Sequence, residues 1–131
     1  MVVFDTDFII ALSKQDPLAQ QIFLKYQENN EEMIITTFTW YELLCGVWKA
    51  SDRSARLKHL HECVSGGSML LFDDTAATIA ARNEGILMSK GKQTGVVDNF
   101  IAAACLSQNQ TLVTRNIKHF QNIPGLKVKS W

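Results

Sequence analysis

Asp5, Glu42 and Asp98 are acids whose surroundings single them out, and Asn116 joins them as a fourth oxygen-bearing side chain. Asp5 directly follows Val2, Val3 and Phe4, a run with the character of a strand covered on both faces. A carboxylate where such a strand leaves the core is either a helix cap or a chemical tool. Glu42 stands among Trp40, Tyr41, Leu43 and Leu44, where a charge needs a partner or a helix edge that reaches solvent. Asp98 opens a helix, either as a plain N-cap or as an acid kept ionised by the helix N-terminus. Three carboxylates brought together repel unless a divalent cation neutralises them, and hard oxygen donors suit Mg²⁺ or Mn²⁺ rather than zinc. A carboxylate-held Mg²⁺ that keeps its waters is apparatus for phosphoryl chemistry: it lowers the pKa of a water and stabilises charge on phosphate oxygens. Asp7, which precedes Phe8-Ile9-Ile10, reads as an N-cap instead.

Short apolar strands alternate with longer helical segments. The strand Val2 to Phe4 leads to a short helix starting near Asp7, and Asp16-Pro17 opens a second through Tyr26. Met33 to Thr36 is a strand, followed by a helix from about Thr39 to Lys49 that carries Glu42 in its first turn or so. Asp52 or Ser54 begins a helix ending at Gly66-Gly67, and Met69 to Phe72 is a third strand. Asp74 or Thr75 caps an alanine-rich helix that stops at Gly91, and Asp98 opens another to about Gln108. Thr111 to Thr114 is a fourth strand and Leu126 to Lys129 a fifth. This alternation predicts an α/β fold with a parallel sheet covered on both faces. In such sheets ligands collect outside the carboxyl ends of the strands, and all four candidates can face that edge.

The 131 residues suit one domain, spanning 1–131, with its own core. Formal charge is zero, which by itself points to no nucleic-acid or membrane partner. From Lys90 onward, however, Lys90, Lys92, Arg115, Lys118, Lys127 and Lys129 face Asp98 alone, so the last third is basic and the remainder acidic. Cys45, Cys63 and Cys105 are odd in number and set in apolar surroundings, as expected of reduced, buried thiols in a cytoplasmic protein. The sequence shows no export signal and no apolar run long enough to span a membrane.

FDTDFI at the start, WYELLCG in the middle, VVDNFIAAAC and then TLVTRNIKHFQNIPGLKV together resemble the PIN-domain ribonucleases, in particular the VapC-type toxins of bacterial toxin–antitoxin pairs. The likeness runs in order from about residue 2 to residue 128. It implies a PIN-like three-layer α/β/α sandwich around a parallel sheet of about five strands, with acids holding Mg²⁺ or Mn²⁺. Carried over residue by residue, Asp5, Glu42 and Asp98 match the family's first three acids and are the expected metal ligands. Asn116 falls where many members carry a fourth aspartate; an amide binds metal or water more weakly, so a second metal position is open. Thr6 and Thr114 occupy positions where family hydroxyls support the acids. The implied reaction is hydrolysis of an RNA phosphodiester, of a specific transfer RNA or ribosomal RNA, leaving a 5′-phosphate and a 3′-hydroxyl. Arg115 and Lys118 are the candidate RNA contacts. The implied partners are a cognate antitoxin and a second copy of the chain, for which Phe38, Trp40, Trp48 and Trp131 are candidate contacts, although core packing accounts for such aromatics more often than an interface does.

Other readings compete. Asp5 and Asp7 also fit a haloacid dehalogenase-like phosphatase, with Asp5 as nucleophile and Asp7 as proton donor, but the later Gly-Asp motif of such enzymes is lacking. A non-catalytic PIN scaffold that binds RNA or protein, or a phospho-receiver domain, is a further class. His59 and Cys63 of HLHEC share a helix face while His61 points away, which leaves a zinc site incomplete. IKHF, with His119, is expected to be a turn packed by Ile117 and Phe120, and Asp73-Asp74 to be a helix cap.

Overall fold

The computed structural model describes residues 1–131. In chain order the elements are β1 (Val2–Phe4), α1 (Thr6–Ser13), α2 (Pro17–Glu28), β2 (Ile34–Thr36), α3 (Thr37–Trp48), α4 (Arg53–Val64), β3 (Ser68–Leu70), α5 (Asp74–Ser89), α6 (Val96–Ser107), β4 (Thr111–Val113), α7 (Ile117–Phe120) and β5 (Lys127–Lys129). Local chemistry explains several boundaries. Asp16 accepts from the Ala19 amide at 3.0 Å with Pro17 in the first turn of α2, and Asp73 accepts from the Ala76 amide at 2.9 Å to start α5. Gly67 lies where a Cβ would meet the Met33 carbonyl oxygen at 2.4 Å, so the turn from α4 into β3 admits no side chain.

The five strands form one sheet in the order β3-β2-β1-β4-β5, and every neighbouring pair is parallel. Alternation along the strands divides the core in two. Val2 and Phe4 face one side, where with Ile35 and Val113 they meet Phe8, Ile9 and Leu12 of α1, Leu43 and Val47 of α3 and Leu60 of α4. Val3 faces the other, where with Ile34 and Leu112 it meets Ile101, Ala102 and Cys105 of α6, closed by Phe120 and Ile123. Helices thus cover both faces, giving the three layers expected. Phe4 is fully buried, stacked on Phe8 at 4.3 Å between centroids and met edge-on by Tyr26 at 5.1 Å. Phe4→Ala would cost about 3–5 kcal/mol, enough to threaten a domain of ordinary stability.

On the second face Ala102, Ala103 and Ala104 are completely buried, which lets α5 pack closely on α6. The join carries a polar pair: Asn83 Nδ2 donates to Asn99 Oδ1 at 3.1 Å and Asn99 Nδ2 to the Ala80 carbonyl at 2.9 Å.

Several expected boundaries move. The first helix starts at Thr6, the third at Thr37 and the sixth at Val96, each earlier than its pattern suggested. The third strand ends at Leu70 because Phe72 turns to pack on Phe38 and Phe100 in an aromatic cluster. IKHF is a short helix rather than a turn, with Phe120 buried as its anchor. Cys105 is buried as expected, but Cys45 and Cys63 are only partly so; all three are free thiols. No helix is long and apolar enough to cross a membrane.

Candidate active site

β2 and β3 extend the sheet from one side of β1, and β4 and β5 from the other, so the chain diverges at the carboxyl ends of β1 and β4. A crevice opens at such a point, and helix N-termini gather around it. Asp5 lies there, immediately after β1, and is itself the N-cap of α1. Its Oδ1 accepts from the Thr6 amide at 2.8 Å and its Oδ2 from the Thr114 hydroxyl at 2.8 Å. The residue is only 5% exposed. Burial pushes the carboxyl up to about 6; the bonds from Thr114 and Thr6 oppose the rise, and the negative charges of Asp7 and Glu42 add to it.

Glu42 sits in the second turn of α3 rather than the first, because the Thr36 hydroxyl caps that helix by accepting from the Thr39 amide at 3.0 Å. Half-buried, it accepts a hydrogen bond from the Thr6 hydroxyl. Thr6 therefore ties the two acids together, amide to Asp5 and hydroxyl to Glu42. Thr114 fastens Asp5 from the opposite side, and its oxygen accepts the Asn116 amide at 3.0 Å.

Asp98 is the third residue of α6, not its cap. Gly95 holds the cap position, where a Cβ would stand 3.2 Å from Asp98 Oδ2. The same oxygen lies 3.1 Å from His119 Nδ1. Asn116 is exposed and precedes α7 without capping it through its side chain. The structure thus joins Asp5 and Glu42 through Thr6, and sets Asp98 at the N-terminal turn of α6 against His119. No group of three or more His, Cys, Asp or Glu side chains is gathered tightly enough to hold a metal ion as it stands. The donors still suit a hard divalent cation: Asp5 is buried beside two like charges that raise its pKa, a strain that positive charge would relieve.

Asp7 departs most from expectation. With Asp5 already the cap, Asp7 falls inside the first turn of α1 and spends its carboxylate on the far end of the chain. Its Oδ2 accepts from the Arg115 amide at 2.7 Å and, more weakly, from the Thr114 hydroxyl at 3.3 Å; its Oδ1 accepts from Trp131 Nε1 at 3.2 Å. Every contact is a donor, the setting of a fixed acceptor rather than of a proton-delivering acid. A signal was available in the sequence: an acid directly after a strand takes the cap position, leaving a second acid two residues on within the helix. His119 and Trp131 carried no such local mark.

The four aromatics considered as contacts divide. Phe38 packs with Phe72 and Phe100, Trp40 lies half-buried beside His61, and Trp131 meets Phe8 edge-on at 5.2 Å. Trp48 alone is largely exposed, at 67%, with the Arg53 guanidinium 4.8 Å from its ring centre. His59 of HLHEC gives its Nε2 to the Ser13 carbonyl at 2.8 Å, pinning α4 to the end of α1.

Comparison with known proteins places this geometry. The tRNA(fMet)-specific endonuclease VapC of Salmonella typhimurium is 28% identical over 129 residues, covering 98% of this chain and 96% of its own length. The ribonuclease VapC2 of Rickettsia felis is 26% identical over the same span. Among solved structures, a chain of the DNA-bound VapBC2 complex of Rickettsia felis superposes with a TM-score of 0.90 at 26% identity, covering 100% of this chain and 99% of that one. A chain of DNA-bound VapBC from Salmonella typhimurium gives 0.89 at 28% identity, with the same coverage. Residues 2–126 match the model of the PIN domain, and the chain belongs to the PIN-domain family.

Proposed function

We propose that this protein is a VapC-type toxin: a ribonuclease that hydrolyses RNA phosphodiester bonds and is neutralised by a cognate antitoxin. The observation that supports this most is the buried Asp5 at the β1/β4 crevice, held by Thr6 and Thr114 and tied through Thr6 to Glu42. Full-length likeness to VapC ribonucleases points the same way, and the tRNA(fMet) specificity named for the Salmonella relative makes transfer RNA the substrate class to test first. Likeness to VapBC complexes supports an antitoxin partner, and family resemblance a homodimer. Free thiols agree with action in the cytoplasm.

Asp5, Glu42 and Asp98 would hold Mg²⁺ or Mn²⁺, which when bound supplies an activated water and charge neutralisation on the phosphate. The chain's own groups do the rest. Thr6 and Thr114 fix the direction of the Asp5 oxygens and lower its pKa toward the ionised form. Asn116 would orient a water or a phosphate oxygen by its amide. Arg115, Lys118 and Lys129 line the same rim, all exposed and none ion-paired within the chain, as suits a surface that meets phosphates. The phosphatase reading weakens, since Asp7 is committed as an acceptor.

The test is cleavage of bulk transfer RNA by purified protein in Mg²⁺ or Mn²⁺. Wild type should yield new 5′-phosphate ends, and Asp5→Asn and Asp98→Asn should each lose at least about a hundredfold in rate. Equal cleavage by all three would overturn the proposal.

A further inference from the structure

Three groups drawn from distant parts of the chain meet beside the acids: Asp7 in α1, Arg115 just after β4, and Trp131 beyond β5. Trp131 is anchored twice, by its Nε1 on Asp7 Oδ1 at 3.2 Å and by its ring edge-on to Phe8. The Arg115 guanidinium carbon lies 3.6 Å from the centre of the Trp131 ring, so its flat cation is stacked on the indole. The Arg115 backbone is fixed separately, its amide donating to Asp7 Oδ2 at 2.7 Å. One carboxylate therefore sets both the main chain of the arginine and the platform under its side chain.

The guanidinium has no ion-pair partner and no hydrogen bond within the chain, and the residue is exposed. A free surface arginine samples many rotamers, and ordering it on a ligand carries an entropic cost. Here stacking meets that cost before the ligand arrives, and leaves the N–H donors uncommitted. A forked, planar cation with uncommitted donors is matched to the paired oxygens of a phosphate. Lys118 on α7, which follows β4, and Lys129 at the carboxyl end of the neighbouring strand β5 add exposed positive charge without ion-pair partners at this edge of the sheet. That surplus favours a polyanionic backbone over a single carboxylate.

We propose that Asp7 and Trp131 are positioning residues that hold Arg115 as a preformed clamp for an RNA phosphate next to the cleavage centre. This rests on the ribonuclease reading and deepens it.

The experiment measures binding of fluorescently labelled bulk transfer RNA, as a function of salt, in an Asp98→Asn background, and steady-state cleavage in the otherwise wild-type protein. Arg115→Ala should weaken binding about five- to tenfold and make the salt dependence shallower by about one phosphate contact. Trp131→Ala should reproduce most of that loss although it removes no charge. Trp131→Phe keeps the ring but not its N–H, and should fall between. In cleavage KM should rise while kcat changes less than twofold, and thermal melts should identify any variant that fails to fold. Arg56→Ala, which removes a distant cation paired with Asp52, should leave binding unchanged. The clamp is overturned if Trp131→Ala and Arg115→Ala, both folded, bind RNA as the parent does. It is equally overturned if they lower kcat and leave KM alone. Failure of the parent to bind or cut RNA at all would instead remove the ribonuclease reading.

Discussion

The hydroxyl of Thr114 lies 2.8 Å from Asp5 Oδ2, a buried contact between residues 109 positions apart. It also accepts the Asn116 amide at 3.0 Å, so one oxygen orients both an acid and the start of the following loop. Thr114→Val keeps the shape and removes both of these bonds together with the weaker one to Asp7. It should cost about 1–3 kcal/mol in urea unfolding and lower the cleavage rate, with Thr114→Ser retaining most of each. Full activity in the valine variant would show that the hydroxyl is dispensable.

Asp5 gives the metal-free protein a pH signature. Its folded pKa is about 6 against 3.8 ordinarily, so the folded chain holds this proton more tightly than the unfolded one. The resulting cost is absent below about pH 4, grows as pH rises to 6, and levels off near 3 kcal/mol above that. Asp5→Asn should therefore be the more stable protein at pH 7 in chelator, by about 1–3 kcal/mol, and lose that advantage at pH 4. Urea midpoints across this range decide it; parallel curves for the two proteins would refute the assignment.

Added Mn²⁺ should reverse the cost. A cation bound only by the folded state at a hundredfold its Kd contributes about 2.7 kcal/mol, a rise of several degrees in Tm at this size. Wild type should show the rise at pH 7.5 and lose it on adding chelator, while Asp5→Asn and Glu42→Gln should show little. An equal rise in all three would place the ion elsewhere.

Asn99 neighbours Asp98 in sequence but points the other way, into the α5–α6 join. Asn99→Ala should destabilise by about 2–3 kcal/mol, since the buried Asn83 loses its remaining partner. Cleavage should fall more than the folded fraction does, because α6 carries Asp98. An unchanged rate per folded molecule would show that α6 stays in place without the pair.

The architecture was legible because the central strands are largely apolar and each long helix is marked by periodicity or a cap, signals that survive without tertiary context. Asp5 was legible for a similar reason, standing where a buried run ends. Asp7 was misread because capping is local while its three donors come from residues 114, 115 and 131, which no nearby pattern reveals. Asp98 read as either a plain cap or an acid at the helix start; Gly95 takes the cap, and Asp98 lies three residues on, within the first turn. The contact of His119 with Asp98 depends on how α7 folds back over α6, a matter of packing rather than composition.

β1 is the first strand made, yet it is flanked by β4, which is nearly the last. At a ribosomal pace of about 5–20 residues per second, Asp5 waits many seconds for the threonine that secures it. A nascent chain thus leaves Asp5 without its Thr114 bond until synthesis is almost finished. The setting of Asp5 is in this way completed late, although the residue itself is among the first made.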